Sequence, residues 1–146
     1  MKLLPLLAAP LAALSLAAAP PTFSQHIAPI IYNNCASCHR PGEAGPFSLT
    51  SYEEVSRRGK MIAAITKARV MPPWHAEKTA HAFSNERTLT PAQIQQIEDW
   101  VRAGMPRGDA AKEPALPQFP QGWQLGKPDL IVKMPKSFRV PAEGPD

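Results

Sequence analysis

Residues 35–39 read Cys-Ala-Ser-Cys-His and hold the only two cysteines of the 146-residue chain. Two thiols three positions apart can sit about one helical turn from each other, and an imidazole follows directly. No cysteine remains to cross-link distant segments. The fold must therefore rest on apolar packing and on whatever this cluster binds. Hydrophobic residues make up 44% of the sequence, enough for one small core, and the length suits one ordinary domain with a tail.

The N-terminus bears on what the cluster can be. Met1-Lys2 gives a short positive start, LLPLLAAPLAALSLA an apolar run, and Ser15-Leu16-Ala17 a small-x-small cleavage site. Residues 1–17 are expected to be a signal peptide, with cleavage after Ala19 as the later alternative. Pro5 and Pro10 interrupt the run, and it falls short of the roughly 20 residues that a spanning helix needs. The mature protein is expected to be periplasmic or secreted, with no membrane span after cleavage. In an oxidising compartment two neighbouring thiols pair unless something else claims them.

Four chemistries compete for Cys35, Cys38 and His39. A thioredoxin-like dithiol needs a strand–helix setting that the sequence does not offer. A structural zinc site needs four ligands, and adjacent Cys38 and His39 cannot readily both face one tetrahedral centre. A disulfide would close a small loop of little stabilising value. Covalent haem attachment uses every residue: the two thiols form thioethers to a porphyrin edge, and His39 ligates the iron. The Cys-x-x-Cys-His spacing is that of c-type haem attachment, so one covalently bound haem c is the expected cofactor.

The rest of the chain reads as helical. Residues 22–34 place Phe23, Ile27, Ile30 and Ile31 on one face, with Thr22 or Ser24 available as a cap and Pro29 expected to kink the helix or delay its start. The run from Arg40 to Pro46 is loop by its Gly and Pro content. Ser51, with Glu54 three residues on, opens a second helix with Tyr52, Val55, Ile62 and Ile65 on its buried side, Met61 on or near it, and Gly59 weakening its middle. Met71-Pro72-Pro73-Trp74 ends it. Residues 75–89 read as an irregular surface loop. Thr90-Pro91-Ala92-Gln93 is a capping box with proline in the first turn, and the helix it opens carries Ile94, Ile97 and Val101 on one face, Trp100 beside them, and Gly104 as its stop. An all-α domain over 22–109 is expected, followed by a proline-rich linker and tail over 110–146. Leu130, Val132, Met134, Phe138 and Val140 alternate there as in one strand.

Three blocks, CASCH, GPF, and MPPW with the capped helix ending EDWVRAG, resemble the small soluble class I-like c-type cytochromes over roughly residues 22–106. The resemblance implies a three-helix cytochrome c fold around the haem. It also implies that the Gly45-Pro46 loop supplies a carbonyl to the second nitrogen of His39, which makes Pro46 a cofactor-binding residue, and that Met71 is the second iron ligand. The alternatives to Met71 are His75, then His81 and His26, or an open sixth position suited to a haem sensor or a peroxidase-like activity. Trp74 is placed to donate its indole N–H to a haem propionate, and Arg69 to pair with one. The tail block GWQLGKPDLIVKMP, with the earlier motifs, further resembles cytochrome domains that precede copper-dependent monooxygenase-like domains in exported bacterial proteins.

The function this implies is single-electron transfer through a His/Met-ligated haem, without turnover of a substrate. Its partners would be redox proteins, and a copper-dependent oxygenase domain is one candidate. The formal net charge of +4 is spread along the chain, so nothing points to nucleic acid. Ser, His and Asp show no spacing that suggests a hydrolytic triad.

Overall fold

The structure is a computed structural model that describes residues 19–74, 76, 83–84, 86–123 and 125–139. The expected signal peptide (residues 1–17), His75, His81 and the end of the expected strand at Val140 lie outside the described residues.

Among the described residues four α-helices form the fold: α1 (Ala28–Asn34), α2 (Tyr52–Arg57), α3 (Gly59–Lys67) and α4 (Pro91–Arg102). A wide helical turn, Phe23–Ile27, leads into α1. Pro29 accounts for the change of pitch. It has no N–H to give the preceding turn and its ring would collide with a carbonyl four residues back, so α1 starts at Ala28 with Pro29 in its first turn. The expected Thr22 or Ser24 side-chain cap is absent. Ser24 is fully buried and its hydroxyl donates to the Arg107 carbonyl at 3.0 Å. The Thr22 side chain packs against Gly108, where an added Cβ would lie 2.6 Å from it.

The second expected helix is two. Arg58, at φ −111° and ψ 6°, separates α2 from α3. Gly59 permits the break because Met105 and Trp100 press onto it: a Cβ there would lie 2.5 Å from the Met105 sulfur. Val55 and Ile62 are buried as expected, while Met61 is 41% exposed rather than in the core. Thr66 takes a buried position on α3 and satisfies its hydroxyl on the Ile62 carbonyl at 2.7 Å. Past Lys67 the chain turns through Arg69 at φ 56°.

At α4 the capping box forms as the sequence specifies. Gln93 N–H donates to Thr90 Oγ1 at 3.2 Å, and Thr90 N–H donates to Gln93 Oε1 at 2.9 Å. Such a cap contributes on the order of 1 kcal/mol. α4 packs on α3 and on the N-terminal turn. At their meeting point Trp100 and Phe23 are fully buried, with ring centroids 6.2 Å apart, and the indole N–H donates to the Pro106 carbonyl at 3.0 Å. Ile27, Ile31, Val55 and Ile97 complete the centre of the core.

No strand is present among the described residues. The expected tail strand is therefore corrected: Leu130, Val132, Met134 and Phe138 are 76% exposed or more. An isolated strand leaves its backbone groups unpaired and its apolar face uncovered. Among the described residues no helix is long and apolar enough to cross a membrane.

Candidate haem-attachment site

The site is built on the C-terminal end of α1. Cys35 and Ala36 N–H both donate to the Ile31 carbonyl, at 2.8 and 3.0 Å, so the chain leaves α1 in a tight continuing turn. The Cys35 carbonyl then accepts from both Cys38 N–H (3.1 Å) and His39 N–H (2.9 Å). One carbonyl thus ties the two cysteines and the histidine into a single turn. Ala36 beneath it is fully buried, which anchors the turn in the core.

Both cysteines are free and partly exposed. Burial against the core pushes the Cys35 thiol up to about 12, and the neighbouring Cys38 adds to the shift. A thiol held neutral is a poor attacking group in exchange chemistry. Cys35 is therefore not poised for the exchange chemistry of a dithiol redox pair.

His39 is held from two directions. Its Nδ1 lies 3.1 Å from the Phe47 carbonyl. A carbonyl can only accept, so Nδ1 carries the proton and Nε2 keeps its lone pair for a metal. The His39 ring also lies against the Phe47 ring, with centroids 4.8 Å apart and 31° between the planes. Gly45 completes the grip: its N–H donates to the Cys38 carbonyl at 2.9 Å, and a Cβ there would fall 2.7 Å from both that carbonyl and His39 Nδ1. The Gly-Pro loop does meet the histidine, but the carbonyl comes from Phe47, one residue beyond Pro46. An added Cβ at Gly45 would collide with the ring, and the carbonyl that meets Nδ1 comes two residues later. Arg40 and Glu43 brace the loop with an ion pair at 2.7 Å.

Met71 and Trp74 belong to a second cluster. They line a cavity of about 370 Å³ together with Thr66, Arg69, Leu89 and Ile94. Cys35, Cys38, His39 and Pro46 do not line this cavity. Arg69 is fixed at its edge, where Nη1 donates to the Leu89 carbonyl at 3.3 Å. Trp74 packs edge-on against Phe83 at 5.7 Å. Thr66, Leu89 and Ile94 could be read from the sequence only as core or loop residues. Nothing local marks them as cavity lining, because they come from α3, the segment before α4, and α4 itself.

These residues suit a covalently held porphyrin. Two unpaired thiols share one turn, an imidazole has its coordinating nitrogen free, and glycine leaves room where the loop crosses the ring. A comparison with protein families matches residues 28–104 to Cytochrome c. No curated protein and no solved structure gives a match. The family match covers more than half of the chain and takes in all four helices, the attachment turn and the Gly45–Phe47 loop, so the chain belongs to the cytochrome c family and carries a covalently attached haem c.

Proposed function

We propose that this electron-transfer cytochrome is an exported single-electron carrier whose iron is ligated by His39 and Met71. The observation that carries the reading is the bond from His39 Nδ1–H to the Phe47 carbonyl, which fixes the tautomer and presents Nε2 as a ligand. When bound, the haem supplies a one-electron iron couple. Cys35 and Cys38 tether it, so a core this small need not hold it by packing alone. Met71 enters from a stretch stiffened by Pro72 and Pro73, beside the cavity it lines with Trp74. A thioether ligand raises the potential and suits an electron carrier. Trp74 and Arg69, which line the same cavity as Met71, are the donors this reading assigns to the haem propionates. Residues 1–17 direct export, the partners are redox proteins, and the tail motif makes a copper-dependent oxygenase one candidate acceptor.

The test is an absorption spectrum of ferric protein produced with haem maturation and scanned into the red. A weak sulfur-to-iron charge-transfer band is expected, and Met71→Ala should abolish it. A low-spin spectrum without the band would overturn Met71 and point to His75. A high-spin spectrum would point to an open site.

A further inference from the structure

The grip on His39 extends one residue further. The Arg58 guanidinium carbon lies 4.4 Å from the centroid of the Phe47 ring, and Phe47 in turn stacks on His39. Arg58 itself is fixed. It forms the junction between α2 and α3, and its Nη1 reaches the Glu54 carbonyl at 3.4 Å. Among the described residues it has no carboxylate partner, unlike Arg40, Arg102 and Arg107. A guanidinium does not lose its proton at any ordinary pH, so a full positive charge stands behind the imidazole.

We propose that Arg58, acting through the ring of Phe47, positions the His39 imidazole and raises the reduction potential of the iron. The proposal rests on His39 being the ligand. The electron-rich face of Phe47 attracts the cation, which sets the plane of that ring, and the ring sets the plane of the imidazole against it. With haem bound, reduction of the iron would take one electron from a donor protein and would move no proton. The ferric centre carries one more positive charge than the ferrous centre, so a fixed cation nearby disfavours it and shifts the couple toward reduction.

The experiment compares the haem-loaded wild type with Arg58→Met, Arg58→Lys and Phe47→Leu. Two quantities are read: the ferrous-to-ferric ratio at the potential where the wild type is half reduced, and the proton NMR shifts of the ferric haem methyls, which report the imidazole plane. Arg58→Met should lower the ratio by about threefold, equivalent to about 28 mV at 59 mV per tenfold for one electron. Arg58→Lys should keep most of the ratio, because the charge remains. Phe47→Leu should alter the spread of the methyl shifts while the low-spin spectrum persists. An unchanged ratio in Arg58→Met, or a lysine variant that falls as far as the methionine one, would overturn the proposal. If Arg58→Met does not load haem, Arg58→Gln gives the same reading. Loss of the ligation reading looks different: a His39→Met variant would then keep the wild-type methyl pattern, and the proposal would fall with that reading.

Discussion

Gly45 is the residue at which the loop backbone, the thiol turn and the His39 imidazole meet. Any side chain there must displace either the Cys38 carbonyl or the His39 ring, since an added Cβ would come within 2.7 Å of both. Neither neighbour yields easily: one is backbone inside a hydrogen-bonded turn and the other is pinned by Phe47. Gly45→Ala should therefore destabilise the protein by about 1–3 kcal/mol, the usual range for overpacking. It should also lengthen the Nδ1–H bond to Phe47. On the proposed ligation by His39, that bond would make the imidazole a stronger donor and favour ferric iron, so weakening it should raise the potential. A denaturant melt combined with a spectroelectrochemical titration checks both effects. Wild-type values for both would show that the loop has slack at this position.

At the scale of elements, the start of α2 carries a pH dependence. Ser51 Oγ accepts from Glu54 N–H at 3.3 Å, while the Glu54 carboxylate accepts from Thr50 N–H at 2.8 Å and from the Thr50 hydroxyl at 2.9 Å. Half of the expected capping box forms: Ser51 caps the Glu54 N–H, but the carboxylate bonds Thr50, one residue before the cap. Partial burial pushes the Glu54 carboxyl up, and the hydrogen bonds from Thr50 and Ser51 more than reverse this, leaving it below the ordinary glutamate value. A carboxyl depressed in the folded state adds stability above its unfolded pKa, about 4.3 for glutamate, and that stability is lost as pH falls through the folded value. The wild type should melt higher than Glu54→Gln at pH 7, and the gap should close on acidification below about pH 4. A gap of constant size across that range, measured by far-UV circular dichroism, would refute this.

For the whole molecule, the segment after α4 is a working part of the domain. Pro106 and Arg107 carbonyls accept from Phe23 and Ser24 N–H, each at 2.9 Å. Further on, the Tyr32 hydroxyl, on a nearly inaccessible residue, donates to Glu113 Oε1 at 2.8 Å. Burial, followed by the hydrogen bond to Glu113, raises the Tyr32 phenol strongly. Arg107 lies within 3.5 Å of Glu53 and 3.6 Å of Glu113, and Phe119 packs under the Arg40 guanidinium at 4.6 Å. Glu113→Ala leaves the Tyr32 hydroxyl buried without its acceptor, which should cost about 1–3 kcal/mol. Adding Tyr32→Phe removes the stranded donor, so the double variant should be more stable than the sum of the two single losses. Strict additivity in urea melts of the haem-loaded protein would show that the bond is not formed in solution.

The sequence alone determined what is local. Apolar spacing decided that Phe23, Ile27, Ile30 and Ile31 face inward. Thr90-Pro91-x-Gln93 decided where α4 begins, and Cys35-x-x-Cys38-His39 decided the cofactor chemistry. Each signal sits within one or two turns of chain, where backbone geometry leaves few choices. Tertiary structure decided the rest. It turned Met61 outward, divided α2 from α3 around the Met105 contact, and chose Phe47 rather than Pro46 to meet His39. It also joined Tyr32 to Glu113, 81 residues away, and set Arg58 behind Phe47. These outcomes depend on which surfaces meet once the core has closed. That is fixed by shape and by the need to pair every buried polar group, neither of which a short stretch of sequence contains.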